Sequence, residues 1–173
     1  MVSLLSGRAL AALGLLLVTA VTALPVAPAA VKPGTRANPY ERGARVRVAG
    51  FVIQVLSTNT NAWKSIQGSG NRPPARGRTD VLVTMRATNR TRVPGIPFVN
   101  GELGAVGRYG TRYSSLTGTC GTIARDVTAI DPVSPGKTAL VRTCWQVPIV
   151  DAKSLVMSYA PYDGARTIYF ALR

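Results

Sequence analysis

Residues 81–89 read Val-Leu-Val-Thr-Met-Arg-Ala-Thr-Asn, and they decide the fold class. Val81, Val83, Met85 and Ala87 recur at every second position, with Leu82, Thr84, Arg86 and Thr88 between them. A period of two belongs to extended chain, whose successive side chains point to opposite faces. Valine and threonine suit a pleated, half-buried surface. The segment predicts a strand with one face on a core.

The same period recurs on both sides of it. Val46 and Val48 alternate with Arg45 and Arg47, and Phe51, Ile53 and Val55 share a face against Val52 and Gln54. Downstream, Val141, Trp145 and Val147 share a face, as do Leu155, Met157 and Tyr159, and Ile168, Phe170 and Leu172 end the chain. Turn formers punctuate these runs: Pro94-Gly95, Asn100-Gly101, Gly107 and Gly110 about a hairpin, and Ser134-Pro135-Gly136-Lys137. Outside the N-terminal segment no window holds a sustained i, i+3, i+4, i+7 apolar stripe. About seven short strands of uneven spacing predict an all-β antiparallel sandwich over residues 44–173. Residues 57–79 interrupt the pattern: they are polar, with Trp63, Lys64, Arg72, Arg76 and Arg78, and read as a long loop.

Parity also places the two cysteines. With Val141, Trp145 and Val147 on the core face, Cys144 points outward beside Leu140, Arg142 and Gln146. Cys120 and Cys144 are the only thiols, and in an exported chain such a pair forms one disulfide. The bridge is therefore expected to staple a strand to a neighbouring loop on the outer face, not to cross the core. A bulge near Thr143 would reverse this parity.

Export itself is read from residues 1–30. Arg8 precedes an uncharged apolar run from Ala9 to Leu24, and Val21-Thr22-Ala23 supplies small residues before a cleavage point. The run is short for a ~30 Å hydrocarbon core. A signal peptide is expected, with an uncleaved membrane anchor as the alternative. Residues 31–43 carry Pro, Gly and charges and read as a flexible lead-in. The expected location is secreted, extracellular or in the cell envelope.

Charge and chemistry come last. Lys and Arg number 21 against 7 acids, for a net charge of +14. Such a field attracts nucleic acid, anionic lipid headgroups, acidic polymers or a protein partner, although arginines spread over a solvated surface serve solubility alone. There is no histidine. That removes the commonest general base and metal ligand, and two cysteines cannot supply a metal's usual set of about four ligands. Asp126 and Asp131 are the one acid pair close in sequence that a hydrolase would use, but Asp131-Pro132 has the form of a turn. Ser134-Pro135-Gly136-Lys137 matches S-x-x-K only formally, because Pro and Gly break the helix that motif needs. No catalytic residue, metal or cofactor is expected.

Several of these segments resemble a known group, the small secreted bacterial immunoglobulin-like domains of unknown function that include a mycobacterial secreted immunoprotective antigen. The resemblance rests on Val81–Asn89, the Gly107–Tyr113 turn and aromatic, Ser134–Lys137 followed by Val141–Pro148, and Ile168–Leu172. It implies an immunoglobulin-like sandwich, export and a protein- or ligand-binding role, and it transfers no catalytic residues. The expected function is a non-enzymatic binding module, with Trp63, Arg72, Arg76, Arg78, Arg90 and Arg92 as the candidate partner surface.

Overall fold

A computed structural model describes residues 31–114 and 120–173, with the backbone alone at Ser69. The expected signal peptide over 1–30 lies outside the described residues. Among the described residues eight strands form two four-stranded antiparallel sheets. The first sheet contains β1 (Val46–Val48), β2 (Phe51–Asn59), β3 (Arg78–Asn89) and β6 (Thr138–Pro148), in the order β1-β2-β3-β6. The second contains β4 (Gly101–Val106), β5 (Arg112–Ser114), β7 (Val156–Pro161) and β8 (Ile168–Ala171), in the order β5-β4-β7-β8. The chain crosses between sheets after β3, β5 and β6, which is the immunoglobulin-like arrangement.

The period-two parity is realised. Val81, Val83, Met85 and Ala87 are fully buried and join Ile53, Val55, Val141, Trp145, Val147, Met157, Tyr159 and Phe170 between the sheets. The β3–β6 register runs without a break from Arg78↔Pro148 to Thr88↔Thr138, so no bulge intervenes at Thr143. The irregularity falls instead on β2, between Val55 and Ser57.

Local chemistry sets the turns. Lys137 N donates to Ser134 O at 3.0 Å, with Pro135 second and Gly136 at φ 72°, the signature of a type II turn. The β1–β2 hairpin turns on Ala49 at φ 44° and Gly50 at φ 83°, between the paired Val48 and Phe51. Two left-handed residues make a type I′ turn, for which Asn-Gly is the favoured sequence.

Two segments differ from the sequence-based expectation. Within residues 31–43, expected as a flexible lead-in, Tyr40 is tied to β8: Tyr40 N donates to Tyr169 O at 2.9 Å and Ala171 N to Tyr40 O at 2.7 Å. Tyr40 also stacks at a tilt on the buried Phe170, 6.0 Å between ring centres. These bonds cover the outer edge of β8, which would otherwise be left unpaired. The long loop expected over 57–79 is shorter and more ordered. β2 continues to Asn59, a helical turn α1 (Trp63–Ile66) runs into a 3₁₀ turn (Gln67–Ser69), and β3 begins at Arg78. Its Ala62 and Ile66 are buried, which gives this polar stretch the apolar anchors that hold it down.

Candidate functional site

The outer face of the first sheet has two halves. At the end where β3 begins, the face is covered. Leu82 pairs with Cys144 across β3 and β6, and both point away from the main core. Ala62, Ile66, Cys120 and Ile123 close over them as a second, smaller apolar cluster, with Trp63 packed at its edge. Cys120 and Cys144 are bridged, with their Cα atoms 5.6 Å apart. The disulfide thus joins β6 to the loop beyond it on the outer face, as parity predicts.

A carboxyl group lies under the same cover. Asp80 is 1% exposed, its Oδ1 accepts from Gln146 Nε2 at 3.4 Å, and its Oδ2 has no partner. Burial pushes this carboxyl above the usual carboxylate range, against the opposing pull of the Gln146 hydrogen bond.

At the other end the face is open and basic. Gln54, Arg86 and Leu140 are opposite one another on β2, β3 and β6, and Val52, Thr88 and Thr138 form the next outward row. Arg86 Nη1 donates to Gln54 Oε1 at 3.4 Å, which draws its guanidinium toward β2. Gln54 is itself held, because its Nε2 donates to Gly43 O at 2.9 Å. Extending the Val46↔Ile53 register by one residue puts Arg45 on the far side of Gln54. Two strand spacings then separate Arg45 from Arg86, roughly 10 Å, within reach of converging side chains. Arg90 stands just past the end of β3, its N–H donating to Gly50 O at 2.8 Å. Together Arg45, Gln54, Arg86, Thr88, Arg90 and Thr138 line a groove of about 370 Å³ that no acidic residue enters. The two threonine hydroxyls lie 2.8 Å apart on its floor.

The residues proposed from sequence divide between the two ends. Trp63 is half-buried on the small cluster, so its ring packs on the domain. Arg72 and Arg76 are exposed, and Arg72 lines a shallow surface recess beside Cys120. Arg78 is half-buried and donates to the Gln146 carbonyl. Arg90 and Arg92 lie beyond the opposite end of β3, whose 12 residues span Arg78–Asn89. At ~3.3 Å per residue about 36 Å separates Arg78 from Asn89, so the two groups stand at opposite ends of β3 and do not make one surface. Arg45 and Arg86, which sequence reasoning passed over, complete the cluster around Arg90. Their signal in the sequence was outward parity, Arg45 just before β1 and Arg86 within β3.

Asp126 and Asp131 are placed differently. Asp126 Oδ1 accepts from both the N–H (2.9 Å) and the hydroxyl (2.8 Å) of Thr128, a turn-forming use of the carboxylate. Asp131 is exposed in the following stretch. Among the described residues no cluster of three or more His, Cys, Asp or Glu is placed to hold a metal. A further buried acid, Asp151, works as a clamp: its carboxylate accepts from Tyr113 Oη at 2.5 Å and Arg108 N at 3.2 Å. The Tyr113 phenol is pushed up to about 12, first by burial and then by the hydrogen bond and charge of Asp151. Gly107 lies so close that a Cβ there would overlap the Asp151 carboxylate, which explains the glycine at this hairpin.

No protein-family model matches the chain, and no curated protein matches it in sequence. Solved structures do match. The chain is similar to an uncharacterized β-sandwich protein from Clostridium difficile, at 15% identity and a TM-score of 0.51 over 79% of this chain and 95% of that one. It is also similar to a conserved hypothetical protein from Bacillus anthracis, at 11% identity and a TM-score of 0.48 over 75% and 94%. The fold is a β-sandwich. At such identity the first likeness establishes architecture alone, and function has to be argued from the surface.

Proposed function

We propose that this is a secreted or cell-envelope binding module, not an enzyme, and that it takes an anionic partner on the open half of the first sheet's outer face. The observation that carries this is the groove where Arg45, Arg86 and Arg90 converge without an acidic residue among its lining. Three guanidiniums held together at a free surface repel one another, and an anion relieves that repulsion. Export is supported by the apolar segment at residues 9–24 and by the disulfide, a bond typical of oxidising compartments. The resemblance to secreted immunoglobulin-like domains, the mycobacterial antigen among them, belongs to the same reading.

Heparin affinity chromatography tests it. Retention should weaken steeply with added salt, as counterion release requires. Replacing Arg45, Arg86 and Arg90 by Gln should move elution to clearly lower salt. The same change at Arg72, Arg76 and Arg92 should move it less. Salt-insensitive retention, or equal shifts for the two sets, would overturn the assignment of this face.

A further inference from the structure

The geometry points to a narrower ligand for that groove: a phosphomonoester group in its dianionic form. This rests on the proposed anionic partner and deepens it. A carboxylate has two oxygens and one charge, which a single guanidinium fork satisfies. The groove offers three guanidiniums, and the Thr88 and Thr138 hydroxyls on its floor, hydrogen-bonded to each other at 2.8 Å, leave one O–H to donate. A terminal phosphate has three outward oxygens and up to two charges, matching several forks at once. Arg86 is already turned toward the centre by Gln54, so part of the ordering precedes the ligand. A diester has two free oxygens and one charge, and a sulfate ester has three oxygens but a single charge.

The protein has a feature that makes the idea sharply testable. It contains no histidine, and neither an acid nor a lysine lines the groove. Arginine does not titrate in this range. Nothing in the groove therefore changes charge between pH 5 and 8, whereas a phosphomonoester gains its second charge near pH ~6. Any rise in affinity across that interval belongs to the ligand.

The probes are inorganic phosphate, glucose 6-phosphate and glucose 6-sulfate, titrated into the purified protein by calorimetry at pH 5.0 and 8.0. Glucose 6-phosphate should bind about tenfold tighter at pH 8.0 than at 5.0, while glucose 6-sulfate should show no such change. Arg86→Gln and Arg45→Gln should each weaken the phosphate ester by about tenfold or more, in line with loss of a charge-assisted bond. Both side chains are exposed, so the variants keep the fold, which circular dichroism verifies. Tighter binding of inorganic phosphate than of the ester would assign the site to the free ion and overturn the ester. Equal affinity for the phosphate and sulfate esters, or pH-independent binding of the phosphate ester, would overturn the dianion preference. Heparin retention that needs these arginines, with no phosphate ester bound, would sink this inference and leave the proposed function standing. Loss of neither on substitution would sink both.

Discussion

The disulfide offers the most direct check on how the domain is layered. Because Cys144 points outward from β6 and Trp145 inward, the bridge and the core residue beside it report on different compartments. Replacing both cysteines by Ala opens a loop with a sequence separation of 24. In the chain-entropy treatment a loop of that size contributes about 3.5 kcal/mol. At about 3 °C per kcal/mol for a domain of this size, the melting temperature should fall by about 10 °C. The native environment of Trp145, which is fully buried, should not change. Trp63 packs on the small cluster and would confuse the signal, so the measurement belongs in a Trp63→Phe background. Thermal melts followed by circular dichroism give the stability, and the emission maximum of Trp145 below the transition reports the core. A red-shifted Trp145 in the folded baseline would show that the bridge supports the main core and would refute the two-layer account. A shift in melting temperature below about 3 °C would refute the loop-closure magnitude.

Three more outcomes follow from particular contacts. Ala49 is exposed and holds φ 44° in a type I′ turn, a conformation that costs a non-glycine residue roughly 1 kcal/mol, so Ala49→Asn should raise the melting temperature by about 2–3 °C. Gly107→Ala should destabilise by about 3 kcal/mol in chemical denaturation, because the new methyl displaces the buried Asp151 carboxylate from Tyr113 and Arg108. Tyr113 keeps its proton in the folded domain up to about 12, whereas the unfolded chain loses it near pH ~10. Its contribution to stability is therefore complete below pH ~10 and is lost as pH rises toward about 12. Tyr113→Phe should remove a late step from the tyrosinate absorbance titration and flatten the alkaline fall in stability.

What could be read from the sequence was what repeats along it. Alternation identified the inward residues of β3 and β6, and parity alone put Cys144 on the outer face. The α1 and 3₁₀ turns were not legible, since four and three residues are too few to show a helical stripe. β4 was equally obscure: its Gly101 and Gly104 weaken the strand pattern, yet each lies where a Cβ would strike Tyr159 or the Tyr113 carbonyl. The Asp151 clamp joins residues from two distant turns, and no local pattern marks it. The arginines misled for the same reason. Close spacing drew attention to Arg72, Arg76 and Arg78, but Arg42, Arg45 and Arg47, and Arg86, Arg90 and Arg92, are spaced as closely, and only strand pairing puts Arg45, Arg86 and Arg90 on one groove.

The division of the first sheet is what leads us to propose its open half as the place for a partner. The outer face of a sandwich sheet must be either polar or covered, because bare apolar strands invite association. Toward the start of β3 the outward residues are Leu82 and Cys144, and the chain covers them with the 60–77 excursion and a disulfide. Toward its end they become Gln54, Arg86, Thr88 and Thr138, which line a groove. Solubility alone requires only scattered polar side chains there. It does not require Arg86 bonded to Gln54 with Arg45 and Arg90 lining the same groove and no carboxylate in that lining, an arrangement that raises the local repulsion in the free protein. The type II turn at Ser134–Lys137 belongs to the same end, since Asn89 N donates to Lys137 O and Gly136 N to Asn89 O, both at 3.0 Å. Those bonds tie the β6 side of the groove, where Gly136 and Thr138 lie, to the end of β3. The groove is thus mounted on paired strands and tight turns, and the proposed anion would meet a largely preformed set of donors, without having to order a loop.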